Sequence, residues 1–257
     1  GSILRDDGTP RTDISIEEFL LLLQSVQREG MDKLLTYIEK TDFFKAPAST
    51  RFHGNYEGGL LEHSLNVYHL LKEKLSHKPY SDIVKPSDDT IILITLLHDF
   101  CKANYYTVDY RNRKNEDGVW IKEPYYTVND TIPYGHGEKS VMMITKFIDL
   151  TLEEMYCIRW HMGFTEPKEQ YGTIGLAYTK YPLALLLNLH QSGVLQLPQG
   201  ADRFLPSAVK QLHYLVDGIV EVNPPVFVCP TVLAGQLHLA QDKGVQNLCF
   251  VGQGCEC

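Results

Sequence analysis

No uninterrupted apolar run in the 257 residues approaches the ~18–20 needed to cross a bilayer, so no membrane span is expected. A basic segment followed by an apolar core is also missing from the start, where Arg5-Asp6-Asp7-Gly8 stands. No signal peptide is therefore expected, and the expected location is cytoplasmic. Cationic charge is in deficit. Lys and Arg number 24 against 32 Asp and Glu, a net charge of −8, which argues against non-specific binding to duplex nucleic acid. Cysteine is sparse at six, too few for a disulfide scaffold in a chain this long. Three of the six (Cys249, Cys255, Cys257) crowd the C-terminal end, but no histidine or CxxC pair completes a four-ligand zinc set there. Free thiols are expected. No repeat of 20–50 residues is evident.

What is present fits a globular chain: 44% hydrophobic and 22% charged residues. The patterning is mainly helical. Residues 1–50 read as two short helices, Phe19 to Val26 with Ser15 as N-cap and Met31 to Glu39. Leu60 to Leu75 carries an apolar stripe at steps of three and four. Pro86-Ser87-Asp88-Asp89 signals a helix start, and Ile91 to Leu97 is apolar nearly all round, the mark of a buried helix. Residues 104–134 break the pattern and read as a β-hairpin with its charged tip ending at Asp117-Gly118. Helical patterning resumes at Glu138 to Ile148, at Leu152 to Trp160 behind an N-cap Thr151, and at Ile174 to Leu189. Beyond 193 the prolines leave a C-terminal extension of unassigned structure, with one plausible helix at Ala208 to Val216.

Ten histidines are more than composition leads one to expect, and four of them stand at element ends. His63 lies early in the first strong helix, in Gly58-Gly59-Leu60-Leu61-Glu62-His63. His98-Asp99 closes the all-apolar helix. His136 opens the next helix, and His161 ends the one after it. A bare His-Asp dipeptide has no weight, and a single buried histidine is usually a hydrogen-bonded core residue. Context changes the balance. A carboxylate in the last turn of an all-apolar helix costs several kcal/mol unless a cation or donors compensate it, and neutral imidazoles with a carboxylate suit a divalent metal. Such a donor set fits Mn, Fe, Co, Ni or Zn better than Mg or Ca.

The joint pattern resembles the HD-domain metal-dependent phosphohydrolase superfamily, and the Gly-Gly-Leu-Leu-Glu-His run is similar to the HD-type 3′→5′ exoribonucleases and to bacterial and phage HD proteins. The resemblance covers residues ~50–190. It implies an HD-type helical bundle over 51–192, with the hairpin as an insertion and residues 193–257 as an extension. It implies two metal ions, with Asp99 bridging them, His63 and His98 on the first, and His136 and His161 on the second. The family's final aspartate falls near Gln191 here, with His190 and Asp202 as substitutes. The activity implied is hydrolysis of a phosphoester on a nucleotide or short single-stranded oligonucleotide. The alternative is a nucleotide-binding module whose catalysis is impaired or lost.

Around this centre, Lys102 lies one turn after Asp99 and is the candidate to offset phosphate charge, or else an ordinary solvated lysine. Lys139 and Arg159 are weaker candidates for phosphate contacts. In the hairpin, Tyr110, Trp120 and neighbouring tyrosines alternate with Arg and Lys, a pattern that suits stacking on bases, or simple cross-strand pairing. Oligomeric state is not legible.

Overall fold

The computed structural model describes residues 12–51, 54–78 and 80–192, with two short paired strands at Leu239–Ala240 and Cys249–Phe250. The expected helix at Ala208 to Val216 and the rest of the extension lie outside the described residues. The described chain is mainly α with one antiparallel hairpin. In order come α1 (Thr12–Ser25), α2 (Met31–Lys40), α3 (Gly59–Leu75), the single turn α4 (Tyr80–Ile83) and α5 (Asp88–Leu97). Strands β1 (Tyr106–Lys114) and β2 (Trp120–Val128) follow, then α6 (His136–Thr145), α7 (Leu152–Arg159), α8 (Tyr171–Lys180) and α9 (Pro182–Ser192).

Local chemistry sets the helix ends. Ser87 caps α5 by accepting the Thr90 amide. Thr151 and Glu154 form a reciprocal capping box on α7. Where the apolar periodicity predicts one helix from Ile174 to Leu189, the structure has two, broken at Tyr181-Pro182. Proline has no amide to continue the ladder, and it pushes the preceding residue out of helical geometry; Tyr181 sits at φ −131°, ψ 84°.

Helix α5 is the axis of the core. Every residue from Thr90 to Leu97 is buried, and α1, α3 and α7 pack against it. One continuous cluster of buried side chains runs from Phe19, Leu23, Leu34 and Ile38 through α3 and α5 to α7, α8 and α9. Across this core Arg28 reaches α7: its guanidinium donates to both Glu154 oxygens, at 2.7 and 3.0 Å. Glu154 also accepts from the Thr90 hydroxyl at 2.9 Å.

The hairpin projects from this body with most of both strands exposed. Its register pairs Tyr106 with Val128 and Tyr110 with Pro124. Its root is pinned by a reciprocal clasp in which the Asp42 amide donates to the Asn104 side chain and the Asn104 amide to the Asp42 carboxylate. No helix among the described residues is long and apolar enough to cross a membrane.

Candidate metal centre

Four helix ends bring their side chains to one buried point. Helix α3 starts where Gly59 lies so close to Gly54 that a Cβ would stand 2.1 Å from its carbonyl oxygen, and the Leu60 amide donates to Ala46. That clamp sets His63 one turn into the helix. Helix α5 ends at Leu97, and a short 3₁₀ turn, Phe100–Lys102, follows His98-Asp99. At the start of α6, a Cβ on Gly137 would stand 2.2 Å from the Arg159 carbonyl oxygen. Only glycine permits that approach, which holds His136 beside the end of α7 and beside His161. Asn188 of α9 donates to the His161 carbonyl at 2.7 Å.

Asp99, 2% exposed, is at the centre. Its Oδ1 lies 2.9 Å from His136 Nε2 and 3.3 Å from His161 Nε2. Its Oδ2 lies 3.4 Å from His98 Nε2, 3.5 Å from His63 Nε2 and 2.7 Å from Lys102 Nζ. The four imidazoles form a chain, with ring centroids 5.1 Å apart for His63–His98, 4.9 Å for His98–His161 and 5.0 Å for His136–His161. All five residues singled out in the sequence as metal ligands therefore converge.

Burial alone would push the Asp99 carboxyl up, but Lys102, then His98, and the contacts from His136 and His161 hold it well below the usual carboxylate range. Burial likewise disfavours charge on His136, yet its contacts with Asp99 and Cys101 outweigh that and lift its pKa to about 10. His161 is the opposite case. Fully buried, its pKa falls to about 4, so the ring is neutral at pH 7. A neutral imidazole has one N–H, whereas His161 faces two oxygens: the Ile158 carbonyl 2.7 Å from Nδ1 and Asp99 Oδ1 3.3 Å from Nε2. With Nδ1 on a backbone carbonyl, Nε2 is turned toward Asp99, as it is in His98 and His63, and imidazoles so turned about a carboxylate are a donor set that fits a divalent ion. His98 is oriented in the same way, Nδ1 on the Thr95 carbonyl at 2.8 Å and Nε2 inward.

Among the described residues two groups of donor atoms lie close enough to hold an ion, His63, His98 and Asp99, and Asp99, Cys101 and His136; His161, 3.3 Å from Asp99 Oδ1, belongs to neither. Cys101 escaped the sequence reading because a cysteine after an apolar helix reads as core. Its Sγ lies 3.3 Å from His136 Nδ1. Tyr106 escaped too, as one aromatic among many. Its hydroxyl donates to the Ala48 carbonyl at 3.4 Å, and burial, then the Asp99 charge, push the phenol above the ordinary range.

Lys102 points into the cluster, 16% exposed. Lys139 and Arg159 are engaged elsewhere. Lys139 is buried, donates to Asp130 at 2.7 Å and lies over the Tyr105 ring; Arg159 stacks on Trp160 and pairs with Glu138 and Glu166. Tyr110 and Trp120 are 63% and 67% exposed, out on the ribbon, with Lys114 over the Trp120 ring. A cavity of about 630 Å³ lies beside the hairpin, lined by Arg51, Asn55, Arg111, Glu123, Tyr125 and Tyr126. His190 bonds to the Leu186 carbonyl, and the charge acting on it is Lys74, in the last turn of α3, not Asp99. Gln191 falls in the last turn of α9 with its side chain outside the described residues, as is all of Asp202.

Comparison with known proteins finds no matching family model, curated protein or solved structure. The resemblance to HD proteins therefore rests on the residues themselves.

Proposed function

We propose that the chain is an HD-type, metal-dependent phosphohydrolase whose substrate is a nucleotide or a short single-stranded oligonucleotide. The observation that carries the reading is Asp99, a buried carboxylate contacted by the Nε2 atoms of four imidazoles. In this reading His63, His98 and Asp99 would hold one divalent ion, and Asp99, His136 and His161 would hold a second. Divalent ions held there lend the site Lewis-acid character toward a phosphoryl group. The phosphoester class comes from the family resemblance.

The chain's own residues supply the rest. Thr95 and Ile158 carbonyls orient the His98 and His161 rings with Nε2 inward. Lys102, partly exposed at the rim, can leave Asp99 for a phosphate oxygen and offset its charge. The cavity beside the hairpin would offer Tyr126 to a base and Arg51 to a phosphate, while Arg111 is paired with Glu123 and lies over the Tyr125 ring.

A second reading has its own observation. Among the described residues Asp99 is the cluster's one carboxylate, and the Lys102 ammonium already neutralises it. On that reading the fold is a nucleotide-binding module without turnover. Metal analysis of the purified protein, with a phosphatase and phosphodiesterase panel on nucleotides and short oligonucleotides, separates the two. Hydrolysis that depends on added Mn, Co, Ni, Fe or Zn supports the enzyme. A metal-loaded protein that binds nucleotides and cleaves none leaves the binding module.

A further inference from the structure

We infer that Cys101 is a thiolate ligand in the second half of this centre, so that this position takes a thiophilic divalent ion — zinc, cobalt(II), iron(II) or nickel — and rejects manganese, magnesium and calcium. The inference rests on the reading of the cluster as a metal centre and narrows which metal it selects.

Three observations place the sulfur. Its atom, the Asp99 carboxylate oxygen and a His136 ring nitrogen all lie within 4.8 Å of one another. Sγ is 3.3 Å from His136 Nδ1 and 3.9 Å from Nε2, the nitrogen that contacts Asp99 Oδ1 at 2.9 Å. A zinc-bound thiolate at about 2.3 Å and an imidazole at about 2.0 Å sit about 3.5 Å apart in a tetrahedral shell, a few tenths of an ångström from that separation. The thiol is also held in place: the Cys101 amide donates to Ser140 Oγ at 3.0 Å, which fixes the 3₁₀ turn against α6, and the side chain is 2% exposed. Cys157 provides the contrast. It is fully buried in α7, and burial, then the Glu153 and Glu154 charges, push its thiol well above the ordinary range.

The chemistry involves no redox change. On binding, the thiol proton leaves to solvent and the sulfur lone pair goes to the ion. Thiolate donors select soft and borderline ions, whereas manganese, magnesium and calcium prefer oxygen shells.

The test is cobalt(II) titration of the metal-free full chain with Cys229, Cys249, Cys255 and Cys257 replaced by Ser, which leaves Cys101 and Cys157. We expect a thiolate-to-cobalt charge-transfer band in the near ultraviolet that saturates with metal. It should persist in Cys157→Ser, where Cys101 is the last cysteine, and vanish in Cys101→Ser, with cobalt affinity at that position falling at least ~10-fold. Zinc should erase the band, and excess manganese should leave it intact. Because the Cys157→Ser protein has a single thiol, its spectrum decides the matter even if Cys101→Ser fails to fold. Visible cobalt d–d bands without charge transfer would overturn the thiolate while sparing the metal centre. Displacement by manganese would overturn the selectivity. Absence of cobalt binding altogether would sink the metal-centre reading and the inference with it.

Discussion

Replacing Asp99 by Ala removes the one carboxylate in contact with all four imidazoles. Metal analysis should then show at least one equivalent lost relative to the parent protein; full occupancy would exclude Asp99 as the shared ligand. Glu154 tests a different buried carboxylate, one that serves the fold. Burial would push it up, but the Arg28 hydrogen bond, then the Thr151 amide and the Thr90 hydroxyl, hold it below the usual glutamate range. Its folded pKa is depressed, so its contribution is present above the unfolded value of about 4.3 and is lost as pH falls through the folded value. Glu154→Gln should cost about 1.5–3 kcal/mol in urea unfolding at pH 7, and the gap to the parent should narrow below pH ~4. Three of the clustered histidines were legible from a local signal, His63 after a Gly-Gly pair, His98 in a His-Asp pair and His136 in a Gly-His-Gly, and His161 from its place at the end of a helical pattern. Cys101 and Tyr106 were not, because their places depend on the 3₁₀ turn after α5 and on the packing of the hairpin root, neither of which leaves a periodic mark.

At the scale of elements, apolar periodicity located α2, α3, α5 and α7 to within a few residues, since each buries one face or all of itself. It failed at Tyr181-Pro182, where the apolar pattern runs on across a backbone that cannot. It was also silent on the tips of Lys139 and Arg159, whose spacing from His136 and His161 suggested phosphate contacts; Asp130, Glu138 and Glu166 come from other segments and engage them. The hairpin's strands were legible, but not that most of both faces would be exposed. Exposure makes its aromatics separable from the fold. Trp120→Ala or Tyr110→Ala should leave the thermal midpoint and metal content unchanged. If these rings stack on bases, either change should weaken binding of a short single-stranded oligonucleotide by about 1–3 kcal/mol. The change Tyr125→Ala reports on the same question at the cavity. Equal affinity for the parent and all three variants, measured by calorimetry, would return the hairpin to a structural role.

At the scale of the whole molecule, the centre joins α3, the end of α5, the start of α6 and the end of α7, segments spread over about a hundred residues of chain. An unfolded chain cannot present that donor set, so an ion bound there binds the folded state almost alone. Free metal at about 100 times its dissociation constant should then add about 2.7 kcal/mol of stability. For a folded body of this size that raises the thermal midpoint by about 5–10 °C. Chelation should reverse the rise in the parent protein. In Asp99→Ala the rise should be largely absent, because the ligand shared by both halves is gone. In Glu154→Gln the baseline should be lower but the metal-dependent increment intact, since Glu154 joins α7 to Arg28 and Thr90 and touches none of the ligands; changes at separate sites without shared partners add. Three scans with and without metal therefore separate the energy of the centre from that of the scaffold. A midpoint in the parent that ignores zinc and cobalt alike would mean that the four imidazoles are held together by Asp99 and Lys102 alone.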